Sequence, residues 1–193
     1  MTDRSRPGGF APRPAGHNPS MNDDRAVVKR TARAILLEPV PAGTPGGHSF
    51  ELIVIKRTKP GRPPYWITPG GGVEPGDATV LAALHREVLE ELGAKVTDVV
   101  PAFVDTVPVS PERGETCGPG LKVQHFFLCR PVSLDPELRH GPEVDDPCGT
   151  YEIVRLPFTR AGLAAVDLVP HTLAAYLRQN IEGLPGLLAP DFC

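Results

Sequence analysis

Residues 86–93 read REVLEELG, which sets three glutamates, Glu87, Glu90 and Glu91, beside Arg86. At about 100° per residue the three carboxylates fall on one side of a helix. Like charges at that spacing repel by a few tenths of a kcal/mol per pair, about 1 kcal/mol in all. Such a run is either a solvated acidic face or a place for something cationic. A hard divalent cation such as Mg²⁺ takes oxygen ligands, often one or two carboxylates together with phosphate oxygens of a substrate. Arg86 is placed to pair with a glutamate and orient it. Upstream, PGGGVEPGD carries three consecutive glycines, Gly70, Gly71 and Gly72. Glycines let a backbone bend tightly and bring its carbonyls or amides close to a ligand. An acidic run alone is weak evidence, and so is a glycine turn alone; the two at a fixed separation are stronger.

The elements that must position these groups can be read from periodicity. Residues 79–92 predict a helix in which Leu81, Leu84, Val88 and Leu92 recur at helical spacing and face the core. The glutamates then lie beside that stripe, at the border of core and solvent. Asp77 or Thr79 can cap its start, and Gly93 suits its end. VVKRTARAILLE and SFELIVIKR predict strands, and a long loop follows with a short strand at Tyr65–Thr68. VTDVVPAFVDTVPV holds one or two strands, KVQHFFLCRPV a further strand, and YEIVRLPF a short one. TRAGLAAVDL is a turn or short helix. Pro170 can open a last helix with Leu173, Tyr176 and Leu177 as its apolar stripe. Strands, helix, strands, helix imply an α+β domain with helices packed on a mixed sheet.

A chain of 193 residues with 40% hydrophobic content suits one globular domain. The 24 prolines and 20 glycines cluster at the two ends and between the elements. Residues 1–24, rich in Pro, Gly and Arg without hydrophobic periodicity, are expected to be a disordered tail, residues 25–182 the domain, and residues 183–193 a C-terminal tail. A net charge of −3 offers no basic field for nucleic acid or an anionic membrane. No segment approaches about 20 consecutive apolar residues, so no membrane span is expected. The N-terminal residues lack the apolar stretch of a secretory signal. Cys117, Cys129, Cys148 and Cys193 lie far apart with no C-x-x-C pair. That fits free thiols in a reducing cytoplasm better than a zinc site or a disulfide framework.

The glycine turn and the acidic helix together resemble the signature of the Nudix hydrolases, G-x5-E-x7-R-E-U-x-E-E-x-G-U, with U a bulky aliphatic. Gly71 matches the first glycine, and Arg86, Glu87, Val88, Glu90, Glu91 and Gly93 match the core in order. There are three departures. Asp77 stands for the family's glutamate, one extra residue lies between Asp77 and Arg86, and Ala94 replaces the last aliphatic. The extra residue is expected in the loop at 78–80, ahead of the regular helix. The flanking YWITPGG and QHFFLCR segments also look Nudix-like.

The resemblance implies a Nudix-type α/β/α sandwich and a pyrophosphohydrolase that cleaves a nucleoside diphosphate linked to another moiety, with Mg²⁺ or Mn²⁺. The substrate class could be ADP-ribose or a nucleotide sugar, a dinucleotide or a (d)NTP. Carried over, Glu87, Glu90 and Glu91 ligate metal, the Gly70 carbonyl adds a ligand, Arg86 orients a glutamate, and Glu87 serves as general base. In some subfamilies the base comes from a later loop, where Glu112, Glu115 and Glu143 are the candidates. Candidate substrate contacts are Arg33, Arg57, Trp66, Gly71 and Glu143, with Arg30, Tyr65, Phe103, Phe126 and His125 as weaker ones. Pro108 lies fifteen residues after Gly93, where ADP-ribose-cleaving members tend to carry proline. A small-molecule nucleotide partner is implied, and the resemblance also admits a homodimer. The competing reading is a Nudix-fold nucleotide-binding regulatory module that has lost catalysis; such relatives usually lose box glutamates, and all three are present here.

Overall fold

The structure, a computed structural model, describes residues 26–43, 45–47, 49–109, 119–141, 144 and 149–189. The strands are β1 (Val27–Pro39), β2 (Phe50–Thr58), β3 (Tyr65–Ile67), β4 (Gly70–Gly72), β5 (Ala94–Val109), β6 (Gly120–Leu134), β7 (Thr150–Pro157) and β8 (Leu168–Val169). The helices are α1 (Val80–Leu92), α2 (Arg160–Ala164) and α3 (His171–Gln179), with short 3₁₀ turns at Pro136–Leu138 and Leu184–Leu188. Among these residues the sheet runs β5-β6-β1-β2-β3-β8, with β4 paired to β1 and β7 to β2. It is mixed, as expected: β1 is parallel to β6 and β3 to β8, while the other pairs are antiparallel.

The sheet splits where the chemistry lies. β1 and β2 stay paired from Pro39↔Phe50 to Leu36↔Ile53 and then part. Past that point β1 takes β4, at Thr31–Arg33 against Gly72–Gly70, and β2 takes β3. The link Thr68-Pro69 crosses the split, and the Ala34 N–H donates to the Pro69 carbonyl at 2.8 Å.

Period-two alternation sends β1 side chains to two cores. Ala32, Ala34 and Leu36 meet Leu84, Val88 and Leu92 of α1 on one face. Ile35 and Leu37 meet Leu163 of α2 and Leu173 and Leu177 of α3 on the other. The result is the α/β/α sandwich. Burying each such leucine or isoleucine contributes about 1.5–3 kcal/mol, which is what holds helices to both faces.

Local signals mostly translate. Thr79, not Asp77, caps α1, its Oγ1 accepting from the Ala82 N–H at 3.0 Å. Gly93 ends the helix in the left-handed region at φ 63°. Residues 77–79 precede the helix, which begins at Val80. The segment expected to hold one or two strands is a single bulged strand, β5. Pro170 is the residue before α3 rather than its first.

Three expectations are corrected. Leu81 is 41% exposed, because the buried arc of α1 is centred between Leu84 and Glu91 and leaves Leu81 at the rim of the first turn. The glycine run, expected as a turn, is itself a strand, β4. Residues after 183 do not trail away at once: Leu184 and Leu188 of the 3₁₀ turn are buried in the α3-side core. Their two apolar side chains outweigh the Pro/Gly composition that suggested a tail. The expected N-terminal tail, Glu112, Glu115 and Glu143, and Cys117, Cys148 and Cys193, all lie outside the described residues. Cys129 is a buried free thiol, and burial pushes its pKa up to about 12.

Candidate active site

The glycine strand explains how the acidic helix comes so near the sheet. Gly70 has φ 130°, and a Cβ on it would stand 2.1 Å from the Ala32 carbonyl oxygen. Only glycine fits a backbone so placed. Its N–H in turn donates to Glu91 Oε2 at 2.6 Å. A Cβ on Gly71 would lie 2.5–2.6 Å from the carboxylate atoms of Glu87. Gly70 and Gly71 therefore form a side-chain-free wall against which two carboxylates of α1 rest.

The three glutamates are not a solvated face. Glu91 is 8% exposed, and the side chains of Glu87 and Glu90 are 12% and 24% exposed. Arg86 reaches across them, with Nη1 donating to Glu87 Oε1 at 3.0 Å and to Glu90 Oε2 at 3.1 Å. Its Nη2 also donates to the Gly72 carbonyl at 2.8 Å. Asp77 grips the same guanidinium with both oxygens, Oδ1 to Nε at 3.1 Å and Oδ2 to Nη2 at 2.9 Å. The shortened box residue is thus the carboxylate that orients Arg86. Its hydrogen bond to Arg86, then the Glu74 N–H, hold the Asp77 carboxyl below the usual range. Asp77, Glu87 and Glu90 in turn raise the Arg86 pKa above its ordinary value against desolvation.

Arg33 joins this cluster to the other side of the sheet. Its Nη1 donates to the Thr68 carbonyl at 2.8 Å, inside the split between β1 and β2. Desolvation lowers its pKa, the nearby charges of Glu91 and Glu87 oppose that, and Arg57 adds to it. A guanidinium stays charged in proteins, so Arg33 is a fixed cation next to two fixed anions. It also lines a cavity of about 390 Å³ whose wall includes Ile67, Pro108, Lys122, Gln124 and Pro170.

The remaining candidates separate. Arg57 stacks on Tyr151, 4.1 Å from the ring centroid, and donates from Nη2 to the Tyr151 hydroxyl. Trp66 packs against the α3-side core. Phe126 is buried there, and Phe103 lies between it and Tyr176, with centroids 5.4 and 4.9 Å away. None of these lines the Arg33 cavity, and neither does His125, whose pKa is lowered by burial and then by Arg30. Sequence reasoning passed over two polar residues, Asp105 and Gln124, 8% and 5% exposed in the middle of β5 and β6. The signal was available: each is a polar residue at a position where its strand's alternation calls for an apolar one.

The donor set suits a hard cation, being all oxygen and anionic, with Glu87 seated in a cradle that a Gly71 Cβ would fill. Among the described residues no three His, Cys, Asp or Glu side chains are gathered to hold a metal as they stand. Arg86 supplies the positive charge at Glu87 and Glu90 instead.

With this geometry in place, the comparisons with known proteins agree. The NUDIX domain model matches residues 30–165. The nucleoside triphosphatase NudI of Enterobacter sp. (strain 638) is 32% identical over 114 residues, covering 52% of this chain and 79% of that protein. A NUDIX hydrolase from Nitrosomonas europaea superposes with a TM-score of 0.54 at 17% identity, over 78% of this chain and 87% of its own. An Ap4A hydrolase from C. elegans, in a binary complex, gives 0.51 at 16% identity, over 82% and 99%. The chain belongs to the Nudix hydrolase family, as a pyrophosphohydrolase of that fold. No helix among the described residues is long and apolar enough to cross a membrane.

Proposed function

We propose that the chain hydrolyses a phosphoanhydride bond of a nucleotide, with Mg²⁺ or Mn²⁺ as cofactor. The observation that carries this reading is Arg33, which lines the cavity while standing in the field of Glu87 and Glu91. None of the three glutamates lines that cavity, so a nucleotide seated there would meet the acidic helix only at its phosphate end, by way of Arg33. Glu87, Glu90 and Glu91, with the Gly70 carbonyl, would hold the cation, which neutralises phosphate charge and activates water. Phosphoryl transfer asks of a protein mainly positioning and charge stabilisation.

The chain's own residues divide that work. Arg33 binds phosphate oxygens and is kept in place by Thr68. Glu91 is fixed by the Gly70 N–H and so has a set direction before any ligand arrives. Arg86, held by Asp77, keeps Glu87 and Glu90 from repelling one another. Glu87, against the bare backbone of Gly71, takes the proton of the attacking water. The relative named as a nucleoside triphosphatase makes (d)NTPs the first substrates to test, with ADP-ribose, nucleotide sugars and dinucleoside polyphosphates beside them.

Release of phosphate or pyrophosphate is measured across that panel with Mg²⁺, with Mn²⁺ and with EDTA. Metal-dependent product from any member supports the reading. Tight binding of a nucleotide with no product under any metal overturns it in favour of a silent binding module.

A further inference from the structure

Gln124 stands in the cavity wall, and it is 5% exposed. Its Nε2 donates to Asp105 Oδ2 at 3.1 Å, across the β5–β6 pair Asp105↔Gln124. Thr172 Oγ1, from α3, donates to the same oxygen at 2.9 Å. An ionised carboxylate only accepts. The nitrogen of the Gln124 amide is therefore committed to Asp105, and the amide cannot turn over without setting two oxygens against each other. Its carbonyl oxygen is on the other branch, directed away from Asp105.

We infer that Gln124, its amide oriented by Asp105, offers its carbonyl oxygen as an acceptor to the base of the nucleotide, selecting bases with an exocyclic amine over their keto counterparts. This rests on the nucleotide reading of the cavity. Adenine and cytosine carry an N–H₂ donor where hypoxanthine and uracil carry a carbonyl acceptor. A keto base in the same position would face acceptor to acceptor, and has to shift to present its neighbouring ring N–H instead. A volume of about 390 Å³ holds one base and sugar, and its apolar members, Ile67, Pro108 and Pro170, suit the faces of a ring. Arg33 and Lys122 in the same wall supply the positive end for the phosphates. A rigid acceptor inside such a cavity discriminates by pairing, which is stronger than exclusion by shape.

Two pairs isolate the effect, ATP against ITP and CTP against UTP, because each differs at the amine-bearing edge. Dissociation constants are measured by calorimetry in EDTA, where hydrolysis is not expected, and kcat/KM is measured separately with Mg²⁺. The wild-type protein is expected to favour the amine member of at least one pair by about tenfold or more. In Asp105→Asn the new amide can donate to Gln124, the lock is lost, and the preference should fall to within about threefold. Gln124→Ala should remove the preference by a second route, with circular dichroism and thermal melting confirming that each variant folds. Equal affinity within both pairs in the wild type, or a preference that survives both variants, overturns the inference, as does failure of all four nucleotides to bind. A preference in binding without turnover would instead sink the hydrolase reading and leave this one standing.

Discussion

Among the described residues two carboxylates are buried, Glu91 on α1 and Asp105 on β5, each 8% exposed, and they are satisfied in opposite ways. Glu91 takes a backbone N–H from Gly70 and lies in a cluster of formal charges, with Glu87 on the same helix and Arg33 close enough to feel both. Asp105 takes one amide and one hydroxyl, neutral donors from β6 and α3. Cations that balance anions can be exchanged for other cations. A carboxylate bonded by neutral donors of fixed direction is a template, and changing a partner changes the direction rather than the charge. The same kind of buried group thus sits among formal charges in one place and among neutral donors in the other.

The sharpest way to break this contrast is to neutralise the charged side. Glu90→Gln and Glu91→Gln keep the size of the side chain and leave an oxygen able to accept from a backbone N–H. Each should lower kcat with Mg²⁺ by about 10³-fold or more, the scale of losing several kcal/mol of transition-state charge stabilisation. Thermal unfolding should show the fold intact. Turnover near the wild-type rate in either variant would show that these carboxylates do not carry the chemistry.

Next in size is a pair of glycine substitutions that separate stability from activity. In Gly70→Ala the methyl group meets the Ala32 carbonyl oxygen at 2.1 Å in a backbone at φ 130°, so β4 must part from β1. The expected loss is about 2 kcal/mol or more, read as a lowered denaturation midpoint. In Gly71→Ala no positive φ is involved, and the nearest atoms to the methyl group are those of the Glu87 carboxylate, from 2.5 Å. That side chain can swing aside, so stability should change little while kcat falls. Equal stability losses in the two variants would mean that Gly71 is a fold position and not a wall of the site.

Most of the charged side was legible in the sequence because it is local. Arg86, Glu87, Glu90 and Glu91 share two turns of one helix, so spacing alone puts them together. Arg33 was visible only as one arginine among several. Its importance comes from the parting of β1 and β2, a property of sheet register. Asp105 and Gln124 are 19 residues apart in sequence and meet through a strand pair whose register shifts at three places, which no periodicity reveals. Leu184 and Leu188 were hidden by the prolines and glycines around them, although both are in the core. The substitution of Asp77 in the box was visible but mute, since a shorter side chain says nothing of which partner it reaches.

Asp77→Asn sharpens the comparison at smaller scale, because it removes a charge from the network without touching the three glutamates. Arg86 would lose its bidentate partner and pull more strongly on Glu87 and Glu90. A fall in kcat of about tenfold is expected, the scale of a misplaced orienting group. The pH dependence has a definite sign. Asp77's carboxyl is held below its ordinary value by Arg86, so the ion pair's contribution is complete above about pH 4 and is lost as pH falls through the lowered value. Wild type and Asp77→Asn should therefore differ in melting temperature near neutrality and converge in acid. A difference that persists unchanged below pH 3 would place the effect in packing instead of charge.

The smallest change tests the neutral side. Thr172→Val removes one of the two donors to Asp105 Oδ2 and keeps the shape of the side chain. A single neutral hydrogen bond contributes about 0.5–1.5 kcal/mol, so a modest drop in unfolding free energy is expected. Specificity should behave differently from stability. Gln124 still donates to Asp105 in this variant, so its carbonyl oxygen keeps its direction and the preference for amine-bearing bases should remain within about twofold of wild type. If Thr172→Val instead erased the preference, the hydroxyl and not the Asp105–Gln124 pair would be what fixes the amide. The recognition edge would then be built by α3 docking on the sheet rather than by the register of β5 and β6.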